Sequence, residues 1–185
     1  MKATDYLMKE HRLIERAIAA LEAGTVKLEA GKAVRPGFFL DAADFVSEFA
    51  DGCHHKKEED ILFITMAGKG VPVQGGPIGV MLTEHEQGRN YNRGIKAGVE
   101  KLQAGNPSGK EEIIRNGRGY AALLHQHIAK EDGILFPMAE RVIPPPEQEQ
   151  MWQDFERAER EVIGEGTYEK YHVIVENLEH EISNL

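Results

Sequence analysis

The chain has 185 residues, 41% hydrophobic and 29% charged, which is enough for one domain with a substantial core. Its net charge of −9 argues against nucleic acid and anionic membranes as partners, because both attract basic surfaces. We predict a cytoplasmic protein. The start MKATDYLMKEH lacks the apolar core of a secretory signal, and no stretch approaches the roughly 20 apolar residues that cross a bilayer. Cys53 is the only cysteine, which is compatible with a reducing compartment.

Hydrophobic periodicity predicts four long helices separated by segments rich in glycine and proline, such as GKGVPVQGGP. These helical segments cover residues 4–30, 37–67, 78–104 and 108–142. The fourth opens with Ser108 and Glu111 at the spacing of a capping box, and PPP ends it. Two further helical segments, 147–163 and 167–183, are split by GEG, with Thr167 as a predicted N-cap.

Strand signals are almost absent, so the fold class is all-α. We predict an up-down four-helix bundle over residues 1–143 and a C-terminal helical extension, residues 144–185, packed on it. A coarse internal repeat supports the bundle, because LMKEH at 7–11 resembles MLTEH at 81–85. The architecture is therefore interpreted as two helix pairs related by a pseudo-twofold axis.

A second, stronger repeat carries the chemistry. HHKKEEDILF, residues 54–63, and HIAKEDGILF, residues 127–136, are identical at six of ten positions. The alignment pairs each histidine with a glutamate four residues later, and this spacing places both side chains on one helix face. The other two helices supply one histidine each, preceded by glutamate. The predicted inward set is His11, His54, Glu58, His85, His127 and Glu131.

Inward histidines and glutamates at similar heights on four helices are how bundles build dinuclear, carboxylate-bridged metal sites. Imidazole and carboxylate without thiolate favour iron, manganese or zinc. Helix phase leaves a second register open, in which His55 and Glu59 replace His54 and Glu58. Arg89, Lys57 and Lys130 are candidates to orient the ligands from outside the site. The default interpretation is that all three are exposed basic residues.

Together, EH (10–11), HHKKEEDILF, EHEQGR (84–89) and HIAKEDGILFP make residues 4–142 resemble the hemerythrin-like family, the HHE cation-binding domain. The resemblance implies a non-haem di-iron centre, oxo- or hydroxo-bridged, held by the six residues named above. It also implies oxygen binding, sensing of oxygen, iron or redox state, or a response to nitric oxide or iron–sulfur damage.

Two departures from the oxygen-carrying members matter. Those members have a second histidine one turn after the third-helix histidine, where this chain has Arg89. The resemblance therefore implies that one iron lacks a ligand and that a dedicated oxygen carrier is not expected. The carriers also place the fourth-helix carboxylate five residues after its histidine, which makes Asp132 a rival of Glu131.

The sequence thus predicts a di-iron protein that binds a small ligand, O2, NO or peroxide, for binding, sensing or redox chemistry. The alternative is an iron or redox sensor, or a cation-binding protein, that acts through a protein partner without catalytic turnover. The sequence leaves open whether the protein is an enzyme.

Overall fold

A computed structural model of the chain describes residues 1–162 and 167–185. These residues form helices and no strand, in agreement with the predicted all-α class. The GEG break and the capping side chain of Thr167 lie outside the described residues. Within the described ranges, no helix is both long and apolar enough to cross a membrane.

Four helical rods make the bundle, and two of them change from α-helical to π-helical winding near the repeated motif. The bundle elements are α1 (Ala3–Glu29), α2 (Pro36–Phe45), two π-helical segments (Val46–His55 and Glu58–Leu62), α3 (Phe63–Gly68), α4 (Pro77–Gln103), α5 (Ser108–Lys130), a third π-helical segment (Glu131–Leu135) and α6 (Phe136–Val142). Residues 36–68 form the second bundle helix and residues 108–142 the fourth. They are followed by α7 (Pro145–Val162) and α8 (Thr167–Ser183).

A layer of buried polar side chains divides the apolar interior into two cores. One core, here the α8-side core, contains Phe38, Phe49 and Ile95. The other, the α7-side core, contains Leu7 and Phe136. The histidines predicted to face inward lie between these cores on all four rods, so the site is enclosed by apolar packing above and below.

The C-terminal helices complete these two cores instead of standing apart from the bundle. On α7, Phe155 is fully buried in the α7-side core. On α8, Tyr171 and Val175 are buried in the α8-side core. Burial of such side chains stabilises the fold by roughly 1.5–3 kcal/mol each, so α7 and α8 contribute directly to the packing around the polar layer.

The start of α5 differs from the sequence prediction. The capping box predicted at Ser108 and Glu111 does not form, because Ser108 is already the first residue of the helix. Instead the side-chain carbonyl of Asn106 accepts the Ser108 backbone N–H at 3.0 Å. An asparagine two residues upstream therefore satisfies one of the donors that a helix start leaves open.

Close packing of α4 against α5 depends on two glycines. A Cβ atom at Gly109 would overlap the carbonyl oxygen of Gly98 and the backbone of Leu102. Glycine at these positions lets the two helix backbones approach more closely than any side chain would allow. This approach fixes the spacing of the helices that carry His85 and His127.

Gly109→Ala should lower the free energy of unfolding by about 1–3 kcal/mol, because the added methyl group forces the helices apart. The matched control is Gly68→Ala, also in a helix, where a Cβ meets no atom within 4 Å. The control should leave stability unchanged or raise it by up to about 1 kcal/mol. Denaturant unfolding of both variants checks this, and equal stabilities would contradict the close-packing account.

Candidate metal centre

Seven histidine and glutamate side chains meet in the polar layer, each no more than 4% exposed. They come from all four rods. The seven are His11, His54, His55, Glu58, His85, His127 and Glu131. The six residues that the repeat predicts are therefore brought together, and one more histidine joins them.

These side chains divide into two groups of four, and within each group the potential ligand atoms lie within 4.8 Å of one another. Position A is the group formed by His11, His54, Glu58 and Glu131. Position B is the group formed by His55, His85, His127 and Glu58. Glu58 belongs to both, so the two positions are adjacent and share a carboxylate.

The two glutamates each face both positions. Glu58 lies with Oε1 3.5 Å from Nε2 of His54, in position A, and with Oε2 3.5 Å from Nε2 of His85, in position B. Glu131 lies with Oε2 3.2 Å from Nε2 of His11 and with Oε1 3.2 Å from Nε2 of His127. Two carboxylates placed in this way could bridge a pair of metal ions.

Several inward-facing atoms are buried without a hydrogen-bond partner among the described residues. They are Nε2 of His11 and His54 and all four carboxylate oxygens of Glu58 and Glu131. Buried polar atoms are normally paired, and an unpaired buried carboxylate is especially costly. Metal ions at positions A and B would satisfy all of these atoms, so the donor set fits a dinuclear site.

The outer nitrogen of every inward histidine contacts a carboxylate. The five contacts of Nδ1 are His11 with Asp132 (2.7 Å), His54 with Glu10 (2.9 Å), His55 with Asp51 (3.4 Å), His85 with Glu59 (2.7 Å) and His127 with Glu84 (2.9 Å). An ionised carboxylate only accepts hydrogen bonds, so Nδ1 carries a proton, and in the neutral imidazole that binds a metal Nε2 presents its lone pair to the centre. Such contacts orient metal-binding histidines and increase their basicity.

The pKa values of the buried carboxyl and imidazole groups are shifted by burial and by their neighbours. Burial and the neighbouring Glu131 raise the pKa of Glu58 well above its ordinary value. Burial acts in the same direction on Glu131, but His127 and His11 outweigh it and hold the pKa of Glu131 well below. Burial lowers the pKa of His54. Metal ligands must be deprotonated, so Glu131 and His54 are ready to bind in the metal-free protein, whereas Glu58 and His11, whose pKa values are raised, would each release a proton when a divalent ion binds.

The structure distinguishes between the carboxylates that the sequence left open. Glu58 and Glu131 face the centre, whereas Glu59 and Asp132 contact the outer nitrogens of His85 and His11. The choice between His54 and His55 does not arise, because both face the centre: His54 belongs to position A and His55 to position B.

The expectation that Arg89 leaves one metal short of a ligand needs correction. His55 supplies the third imidazole of position B, and its ring is stacked on His85 at 3.8 Å. Arg89 instead donates to Asp51 at 2.8 Å and to Glu59 at 2.7 Å. It therefore holds the two carboxylates that orient His55 and His85.

The backbone explains how adjacent histidines both face the centre. On a regular α-helix, neighbouring residues point about 100° apart, so one of them turns away. Residues Val46–His55 are π-helical, which widens the turn and reduces this angle. With α-helical spacing, His55 can only replace His54, which is why the sequence predicts a single histidine of this pair at the centre. The sequence did contain a signal for His55: two adjacent histidines, His54 and His55, in a chain that has Arg89 where a further histidine ligand was expected.

The two repeat lysines differ in burial, and two histidines on α8 lie away from the polar layer. Lys57 is 2% exposed and donates to Glu10, contrary to the default of an exposed basic residue. The side chain of Lys130 is 35% exposed and donates to Glu84. His172 and His180 lie on α8 and contact Arg16 and Asn184 respectively, away from the polar layer.

A family profile described as the hemerythrin HHE cation binding domain matches residues 2–139, which contain the whole polar layer. The chain belongs to this family. Uncharacterized proteins of Mycobacterium bovis and Mycobacterium tuberculosis are each 24% identical to it over 169 residues, which is 90% of this chain. The chain spans 65% of the length of these curated relatives. No solved structure matches it significantly.

His55→Gln should weaken metal binding at position B at least tenfold, because it removes one of three imidazoles there. Stepwise titration of the metal-free protein with Zn²⁺ or Co²⁺ measures this. His125→Gln, at a side chain that is 46% exposed, is the matched control and should bind as the wild type does. Unchanged affinity of the His55 variant would show that His55 is not a ligand.

The metal-free protein should lose stability as the pH rises from about 6.5 to 9. Burial lowers the pKa of His11, but hydrogen bonds to Asp132 and Glu131 outweigh it and raise the pKa from 6.5 to about 9. A raised pKa stabilises the fold fully below the unfolded value, and the contribution, up to about 3 kcal/mol, disappears as the pH passes the folded value. His127 and Glu58, whose pKa values are also raised, act in the same direction.

Chemical denaturation of the metal-free protein at several pH values tests this slope. His11→Gln should flatten it, whereas His172→Gln should preserve it. A metal-free protein that becomes more stable between pH 6.5 and 9 would contradict the assignment.

Proposed function

We propose that the protein holds two iron ions at positions A and B as a non-haem dinuclear centre and uses it to bind a small oxidant such as O2, NO or peroxide. The observation that carries this proposal is the pair of buried glutamates, Glu58 and Glu131, each with one oxygen toward each position. Manganese and zinc are the alternative metals, because imidazole and carboxylate also bind them.

Counting donors supports an open centre. Five imidazole nitrogens and four carboxylate oxygens face the two positions, which is nine donors for the roughly twelve positions of two six-coordinate ions. A bridging oxygen and an external small ligand would account for the remainder. A closed structural zinc site needs only four ligands in a tetrahedron, so nine donors exceed what such a site would use.

The chain's own residues would protect and orient this centre. When bound, a pair of irons supplies one-electron chemistry with small oxidants. Phe136 is stacked on His11 at 5.4 Å and Phe63 on His85 at 5.9 Å, so apolar rings cover both positions and limit water. A cavity of about 130 Å³ is lined by both the exposed Arg93 and the buried His55, so this is where a small molecule would approach position B.

The proposal also includes the cellular setting. A small-molecule ligand is the expected partner, and the net charge of −9 disfavours nucleic acid and membrane surfaces. Burial raises the pKa of the only cysteine, Cys53, to about 12, so it is an inert packing residue, compatible with a cytoplasmic location.

A sensor that acts through a protein partner is the second candidate. It is favoured by the indirect link between α7 and the carboxylate behind His54, since Lys57 donates both to Glu10 and to Glu159 of α7. Turnover of peroxide or nitric oxide supports the first function. Partner binding that depends on metal, with little turnover, supports the second.

Iron-loaded protein should contain two irons per chain and show an oxo-bridge absorption band that bleaches on anaerobic reduction and returns with a small oxidant. Metal analysis paired with optical spectra measures both properties. Glu131→Gln should reduce the iron content because it removes a bridging oxygen, whereas the exposed control Glu149→Gln should not. One tightly held zinc ion with no redox-active spectrum would contradict the proposal.

A further inference from the structure

The two halves of the internal repeat differ in what lies behind their histidines. In one half, Nδ1 of His127 contacts Glu84 at 2.9 Å and Lys130 donates to the same carboxylate. The Lys130 side chain is 35% exposed, so this series of contacts ends in solvent. At the equivalent place in the other half, the lysine is buried.

Lys57 corresponds to Lys130 in the repeat, and its side chain is only 1% exposed. Its ammonium group donates to Glu10 and, at 3.1 Å, to Glu159 of α7. It also lies 4.8 Å from the centroid of the Tyr6 ring. The hydroxyl of Tyr6 donates to Glu159 at 2.6 Å, so this carboxylate is held from α1 and from the second bundle helix together.

A continuous series of contacts thus joins α7 to position A. Glu159 accepts from Lys57, Lys57 donates to Glu10, and Glu10 accepts from Nδ1 of His54 at 2.9 Å. Nε2 of His54 faces Glu58 in the centre. Each member is buried or nearly so, with Glu159 the most exposed at 13%.

Burial makes this series sensitive to the loss of any member. A buried ammonium needs its carboxylate partners, and removal of one partner from a buried ion pair is strongly destabilising. Without Glu159, the Lys57 ammonium group would have Glu10 as its only carboxylate partner among these contacts. Glu10 would then be a weaker acceptor for the Nδ1–H of His54, and the imidazole would be a weaker donor to a metal.

We infer that Glu159 is a positioning residue for metal position A, acting through Lys57 and Glu10 on His54, so that docking of α7 and metal binding at that position are one linked equilibrium. The inference rests on the proposed metal centre. Linkage is reciprocal: if docked α7 strengthens metal binding at position A, metal at position A strengthens docking by the same factor. Position B has no such contact with α7 among the described residues.

The first test uses metal-free protein and the ring N–H proton of His54 in NMR spectra, assigned through its absence in His54→Gln. Glu159→Gln should shift this signal upfield, because its hydrogen bond to Glu10 weakens. The matched control is Glu149→Gln, an exposed carboxylate on the same helix. An unmoved His54 signal in a folded Glu159→Gln protein would overturn the series of contacts.

The second test is titration with Co²⁺, followed as two binding steps. Glu159→Gln should weaken one step by about 10–100-fold and leave the other within about twofold. A general loss of structure would weaken both steps, so equal weakening overturns the inference, as does no change in either step. Glu149→Gln should match the wild type in both steps.

The third test is hydrogen exchange of the amides of α7. In the wild type, Co²⁺ should slow their exchange, and Glu159→Gln should abolish this difference. Exchange in α7 that is insensitive to metal overturns the linkage. If the wild type binds fewer than two metals, the proposed function fails instead, and the NMR result still decides whether Glu159 acts on His54.

Discussion

The buried pair of carboxylates, Glu58 and Glu131, is the constraint on which the rest of the molecule depends. Two like charges in a dry layer repel, and their four oxygens have no hydrogen-bond partner in the described chain. Polar groups so placed are tolerated only when something else satisfies them. Two metal ions would do so, which explains why the layer is enclosed by separate apolar cores and why every rod of the bundle contributes to it.

The centre departs from the symmetry of the repeat in two ways, and both have a physical cause. A long π-helical segment, Val46–His55, lets one half present two adjacent histidines, whereas the other half has the apolar Ile128 at the position of His55. The helix α7 covers the lysine of the first half and leaves that of the second half exposed. Position A therefore has fewer imidazoles and the contact with the C-terminal helices, while position B has three imidazoles.

Sequence patterns predicted the bundle and the six repeated residues because helical period and ligand chemistry are both local and regular. His55 was not assigned beside His54, since a 3.6-residue period admits only one of two neighbours to the same face. The burial of Lys57 could not be predicted either, because it depends on a helix about a hundred residues later in the chain. Glu10 and Glu84 were visible as the residues before His11 and His85, but their contacts with His54 and His127 are made between rods.

The most direct test of the shared carboxylate bridge is anomalous diffraction from crystals of the iron-loaded protein, recorded at the iron absorption edge. We expect two peaks roughly 3.5–4 Å apart, each within bonding distance of one oxygen of Glu58 and one of Glu131. A single peak, or two peaks that do not share these carboxylates, would contradict it.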